Sequence, residues 1–126
     1  MIIVYLPRKI SAMIWNDFNE EAQLNELIDR SSDEYICIFK HSARCNISAM
    51  VKSRLESSSD EKIQSQPIFL INVLKNRAIS DQVASTFNLV HESPQLLVVK
   101  NRELIHHSAH TGITVEGLKQ ALTSNS

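Results

Sequence analysis

At 126 residues and 14.3 kDa, with 43% apolar and 21% charged residues, the chain fits one compact domain over its whole length and is too short for two. Thirteen basic against fourteen acidic side chains leave a net charge of -1 without a block of one sign, which excludes the electrostatic footprint of a nucleic-acid or anionic-membrane binder. The most apolar runs, Ile2 to Leu6 and Ile68 to Leu74, are strand-sized and far short of the roughly 20 residues that cross a membrane.

In chain order, Ile2 to Leu6 reads as a first strand stopped by Pro7, whose missing N-H suits a strand end. Phe18-Asn19-Glu20-Glu21 reads as a staple residue, an N-cap and an acidic first turn. Leu24, Leu27 and Ile28 then recur at helical spacing, which predicts a helix over 20–30. Tyr35 to Phe39 is a continuous apolar, β-branched run of the kind found in a strand buried on both faces. Ile47, Met50, Val51 and Leu55 mark one face of a helix that begins at Cys45 or Asn46 and ends in Ser57-Ser58-Ser59. The polar stretch from there to Gln66 reads as a loop.

A third strand is predicted at Ile68 to Leu74. A helix follows, capped by Ser80 with Ile79 as its staple and carrying Val83, Ala84 and Phe87. Gln95 to Lys100 and Glu103 to His107 flank Asn101-Arg102 as a hairpin, although Arg is a poor second residue for a primed turn. Thr114 caps a last helix containing Val115, Leu118, Ala121 and Leu122. The string β-α-β-α-β-α-β-β-α predicts an α/β three-layer sandwich, a central mixed sheet of four to five strands flanked by helices. A thioredoxin-like sandwich suits it best, with a flavodoxin-like relative left open by periodicity alone.

Two cysteines are too few for a disulfide scaffold, and a chain of this length buries enough surface without one, so cysteine is expected to do chemistry. The segment Phe39-Lys-His-Ser-Ala-Arg-Cys45-Asn-Ile-Ser48 sets Cys45 between a central strand and the helix after it. There, unpaired N-H groups and the positive end of the helix dipole favour an anion, so a thiol ionises more readily. Arg44, and with it Lys40 and His41, is expected to act in the same sense. The alternative is that Cys45 merely fills space at a helix start. Cys37, mid-strand among Ile36, Ile38 and Phe39, is expected to be a small core residue. Three residues after Cys45, where a dithiol enzyme has its resolving cysteine, stands Ser48. A hydroxyl there can donate to a thiolate but cannot close a disulfide, which favours a monothiol cycle. In His91-Glu-Ser93-Pro94-Gln95, a proline directly precedes an apolar strand. This is a place for a cis X-Pro bond that bends the chain toward a site, or for an ordinary trans strand start.

The stretches FKHSARCNIS, NRAISDQVASTFNLVHESPQLLVVKN and HHSAHTGIT resemble the YtxJ-like family of bacillithiol-system proteins, the monothiol bacilliredoxins of thioredoxin-like fold, from Trp15 to Thr114. The resemblance implies removal of bacillithiol from S-bacillithiolated client proteins. Cys45 would be the nucleophile, Ser48 would hold the resolving place, and Pro94 would match the cis-proline of the fold. His41, Ser42, Arg44 and Ser93 match motif positions that would bind the substrate or its thiol, and His91 and Gln95 lie in the same motifs. It also implies bacillithiol as a co-substrate, a low-molecular-weight thiol or a reductase for regeneration, no tightly bound cofactor and no metal. Asn46 stands where many relatives carry proline, Ala43 replaces a hydroxyl residue, and His106 and Ala109 stand where tryptophan and serine are expected.

Other readings make different demands. His41, Cys45, His91, His106, His107 and His110 are many potential ligands, but no pair has a standard zinc spacing. A bridged iron-sulfur cluster is conceivable by analogy with monothiol glutaredoxins. Ser42 three residues before Cys45 is similar to peroxiredoxins, although an earlier proline of their loop is missing. A non-enzymatic adaptor with Cys45 as a redox sensor is the remaining alternative. With no basic n-region or cleavage site after Met1, the expected location is the cytoplasm.

Overall fold

The structure, a computed structural model, describes residues 13–123. The strand expected at Ile2 to Leu6 lies outside the described residues. Within them the first element is a short strand, β1 (Trp15–Asp17), which three residues without alternation had not announced. It is followed by α1 (Ala22–Arg30), β2 (Ile36–His41), α2 (Asn46–Glu56), α3 (Glu61–Gln64), β3 (Ile68–Asn72) and α4 (Arg77–Thr86). The hairpin β4 (Gln95–Lys100) and β5 (Glu103–Ala109), a 3-10 turn at His110–Gly112 and α5 (Val115–Thr123) complete the chain.

The five strands lie in the order β1-β3-β2-β4-β5. β1, β3 and β2 are parallel, whereas β4 runs antiparallel to β2 and to β5, so the expected mixed sheet is present with its antiparallel edge. Alternation along the strands sorts the core into two layers. Cys37 and Phe39 of β2 face Val51 and Leu55 of α2, Ile63 of α3 and Leu118 of α5. Ile36 and Ile38 face Leu24 and Leu27 of α1 and Ile79 and Val83 of α4. β2 is therefore buried on both faces, as its unbroken apolar run required.

Three boundaries differ from expectation, two at helix starts and one at a strand end. α1 starts at Ala22 after Glu21, not at an Asn19 cap; the Gln23 amide oxygen instead accepts from the backbone N-H groups of Asn19 and Glu20, both at 2.9 Å. α4 begins at Arg77 after Asn76, so Ser80 lies one turn inside the helix and is buried rather than capping it. β3 stops at Asn72, whose side-chain oxygen accepts from Leu74 and Lys75 in an Asx turn.

The polar stretch read as a loop contains α3, capped by Asp60, which accepts from Lys62 and Ile63, and anchored by the fully buried Ile63. Asn101 and Arg102 both adopt the left-handed region, at φ of 54° and 65°, as a two-residue primed turn demands. Arg is tolerated there because the turn docks on the end of α1. The N-H of Asn101 donates to Ser31 O at 2.7 Å and that of Arg102 to Ser31 Oγ at 2.9 Å, while the Arg102 guanidinium pairs with Asp29. At the last helix the Thr114 hydroxyl accepts from Gly117 N at 3.0 Å, as expected of its cap. Among the described residues no helix is long and apolar enough to cross a membrane.

Candidate functional site

The C-terminal end of β2 leads through Ser42-Ala43-Arg44 into α2, and Cys45 is the N-cap of that helix, with φ -99° and ψ 119°. Extended backbone is what an N-cap residue adopts, and it leaves the first-turn N-H groups without intrahelical partners. The Cys45 N-H donates to Ser42 O at 3.1 Å and its carbonyl accepts from Ala49 at 3.0 Å, so the backbone on either side of the thiol is held. The side chain is half-buried and makes no capping hydrogen bond, and Cys45 and Cys37 are both free. Cys37 is fully buried, and burial alone pushes its thiol up to about 12. It is a core residue, as expected.

Ser48 is not an exposed helix serine. It is fully buried in the first turn of α2, where its hydroxyl accepts from Ser42 N at 3.1 Å and lies 2.7 Å from His41 Nδ1. His41 belongs to the same face of β2 as Phe39, on which its ring stacks with centroids 5.9 Å apart. Phe39 in turn contacts Trp15 at 5.7 Å. Lys52 sits over the Trp15 ring and pairs with Glu56 at 2.7 Å, and Glu56 accepts from the Trp15 indole at 2.9 Å. Burial, helped by Lys52 and opposed by Glu56, holds the His41 pKa below its ordinary 6.5, so the ring is predominantly neutral at pH 7.

The second expected segment reaches the same end of the sheet. Lys40 pairs with Gln95 in the antiparallel β2-β4 register, which sets Pro94 beside the end of β2 that leads to Cys45. The Ser93-Pro94 bond is cis. Pro94 is buried and its carbonyl accepts from His110 N at 3.0 Å; His110, at φ 54°, also places Nε2 3.1 Å from a Glu92 carboxylate oxygen. His91 bonds Ser80 at 2.8 Å, and the Gln95 amide donates to Val90 O at 3.2 Å. The loop before β4 is thus tied down from α4, from within and from the turn after β5. The buried Ser93 hydroxyl has no hydrogen-bond partner among the described residues.

Not every expected residue points at the thiol. Arg44 is exposed beside Cys45 and makes no ion pair among the described residues. Lys40 was expected beside Cys45, but strand alternation turns it away from His41 to the α1 and α4 face. There it is fully buried, its ammonium without a hydrogen bond among the described residues. Burial is the main cause that lowers its pKa to about 8, and Arg77 adds to it, while Asp81 and Glu92 act in the opposite sense. Two features escaped sequence reasoning, the Trp15-Glu56-Lys52 support behind His41 and the His110 strap on Pro94. Lys52 and Glu56 are an i,i+4 pair that helical spacing could have announced, but the joins of Trp15 to Glu56 and of His110 to Pro94 link positions distant in the chain, which no local spacing shows. Among the described residues, no group of three or more His, Cys, Asp and Glu side chains is placed to hold a metal ion.

A family model described as monothiol bacilliredoxin BrxC matches residues 16–118. A solved structure described as a candidate oxidoreductase with a thioredoxin fold superposes with a TM-score of 0.76 at 28% identity, covering 86% of this chain and 93% of that one. Thioredoxin from Malassezia sympodialis (TM-score 0.66, 18% identity, 94% and 93% coverage) shares the fold. So does reduced thioredoxin pre-protein from Schistosoma mansoni (0.64, 14%, 86% and 98%). The sandwich is a thioredoxin fold.

Proposed function

Because the chain belongs to the monothiol bacilliredoxin BrxC family, we propose that it removes bacillithiol from S-bacillithiolated proteins by thiol-disulfide exchange at Cys45. The Cys45 thiolate attacks the bacillithiol sulfur of the client's mixed disulfide. That S-S bond breaks, the client sulfur leaves with the electron pair and takes up a proton, and a Cys45-bacillithiol disulfide forms. A second bacillithiol thiolate then attacks the Cys45-bound bacillithiol, releasing bacillithiol disulfide and the Cys45 thiolate; alternatively a dithiol reductase attacks it, freeing the Cys45 thiolate and then bacillithiol as the reductase closes its own disulfide.

One observation carries the reading: a half-buried cysteine at the N-cap of α2 with a buried hydroxyl, not a thiol, one turn further on. The first-turn N-H groups and helix dipole favour negative charge at that place. Ser48 can hydrogen-bond the thiolate but cannot resolve the mixed disulfide internally, and Cys37 is too deep in the core to substitute. Ser42 holds the backbone of Cys45 and the hydroxyl of Ser48 together. The exposed Arg44 suits the carboxylates of bacillithiol, and the Ser93-Pro94 backbone, at the same end of the sheet, suits pairing with an extended client segment. Both free thiols belong in a reducing compartment such as the cytoplasm.

Incubation of the reduced protein with a bacillithiolated client, beside a glutathionylated one, followed by peptide mass spectrometry, tests this. A bacillithiol adduct on Cys45 that forms faster than any glutathione adduct is expected, and Cys45→Ser should release none. Release by Cys45→Ser would overturn the mechanism, and no adduct on Cys45 from either donor would replace it with a redox-sensing or adaptor role.

A further inference from the structure

The hydrogen bonds around Ser48 contain more information than its place in the motif. A serine hydroxyl has one hydrogen to give and two lone pairs to receive with. The Ser42 N-H occupies one lone pair at 3.1 Å, and His41 Nδ1 at 2.7 Å is either the acceptor of the hydrogen or a donor to the second lone pair. Ser48 has no water-exposed surface, so whichever capacity His41 leaves over must be met inside the protein. Cys45 is three residues earlier, a spacing that puts two side chains on one side of a helix.

Resting on the exchange reading of Cys45, we propose that His41 is a positioning residue that acts through Ser48, holding the proton that Cys45 gives up and turning the Ser48 hydroxyl toward the sulfur. The proton balance closes in both states. The Cys45 thiol makes no hydrogen bond to Ser48 at rest, so the relay requires its side chain to turn; with the thiol so turned, S-H donates to Ser48 Oγ, whose own hydrogen goes to a bare Nδ1. On ionisation the thiol proton passes to Oγ as the hydroxyl proton passes to Nδ1. The products are a thiolate, a hydroxyl donating to it and an imidazolium donating to the hydroxyl. Ser48 keeps three satisfied hydrogen-bonding positions throughout the transfer.

The surroundings of His41 suit a ring that is neutral at rest and is protonated only while a thiolate stands beside Ser48. Of the charged groups acting on it, Lys52 on α2 disfavours the imidazolium and Glu56 on α2 favours it. β2 presents the Phe39 ring, with Trp15 of β1 behind it, and β3 presents Asn72 as the register partner, none of them charged. Stacking on Phe39 fixes the plane in which Nδ1 meets Ser48.

The test is the rate of Cys45 alkylation by iodoacetamide against pH in the wild type, His41→Phe, Ser48→Ala and the double variant. Phenylalanine keeps the ring against Phe39 and removes both nitrogens. Each single variant should lose about tenfold at neutral pH, the worth of one hydrogen bond to a charged group. His41→Phe should then cost nothing more once Ser48 is alanine. Equal losses for His41→Phe with and without the serine would overturn the proposal, since a purely structural role persists in both backgrounds. Nitrogen NMR of the wild-type His41 ring gives a second check that needs no variant. Nδ1 should gain a proton as Cys45 ionises and stay bare when Cys45 is alkylated, and nitrogen shifts indifferent to the state of Cys45 would overturn it. Iodoacetamide reports on the thiol alone. Failure of the relay therefore leaves bacillithiol exchange standing, and absence of bacillithiol transfer in the wild type would sink the exchange reading without touching the relay.

Discussion

Burial assigns different chemistry to side chains that composition treats alike. Cys37 and Cys45 are separated by seven intervening residues, yet one is fully buried with its thiol at about 12 and the other is half-exposed at a helix N-cap. Native protein treated with an alkylating agent should therefore lose one thiol at Cys45, and the second should react only in denaturant; modification of Cys37 at a comparable native rate would contradict its placement. Lys40 and His41 are adjacent and point to opposite faces of β2. The Lys40 ammonium is buried without a hydrogen bond among the described residues, so Lys40→Met should stabilise the protein at pH 7 by about 1–3 kcal/mol, measurable by urea unfolding. Loss of stability in that variant would mean that the ammonium is better paired than its surroundings indicate.

At the scale of elements, short turns of helix and strand carry the placement of the site. α3 depends on one cap, since Asp60 accepts from Lys62 and Ile63 and also pairs with Lys119 of α5 at 3.1 Å. Asp60→Ala should lower the urea midpoint with little effect on exchange at Cys45, because α3 packs on α5 and not on the thiol. α2 offers a complementary test of geometry. Cys45 and Ser48 stand one turn apart at its start, so Ser48→Cys should form an internal disulfide on oxidation and convert the monothiol cycle to a dithiol one. No bond between the two cysteines by non-reducing peptide mapping would show that the first turn holds them too far apart.

For the whole molecule, the pH dependence of stability follows from several buried bases at once. His41, His91 and His106 all have pKa values held below 6.5, chiefly by burial. The unfolded chain takes up protons there first, so stability is intact above pH 6.5 and falls as the pH drops below it. Asp60 and Asp81, held below 3.8 chiefly by their hydrogen bonds to Lys119 and Arg77, add a further loss in acid. Lys40 acts in a separate window. Its folded value of about 8 lies below the ordinary 10.5, so stability should rise between those two pH values, and Lys40→Met should flatten that rise while leaving the acid limb unchanged. Chemical denaturation midpoints across the range check both limbs.

Much of this protein was legible along the chain because local physics repeats. Alternation and 3.6-residue spacing located β2, α2, the hairpin and the last helix, and unbroken apolarity marked β2 as central. Cys45 at a strand-helix junction, Ser48 one turn on and Pro94 before β4 were all visible for the same reason. β1 and α3 are not legible there because three residues of strand and a single turn of helix carry too little periodicity to register, and Ser80 resembles a cap along the chain although α4 starts a turn earlier. Tertiary structure alone decided what Ser48 bonds to, that Lys40 faces away from the thiol and that Trp15, Glu56 and Lys52 stand behind His41. A pattern along the chain reports which face a side chain takes. The partner it meets there comes from another element, brought in by the closing of the sheet.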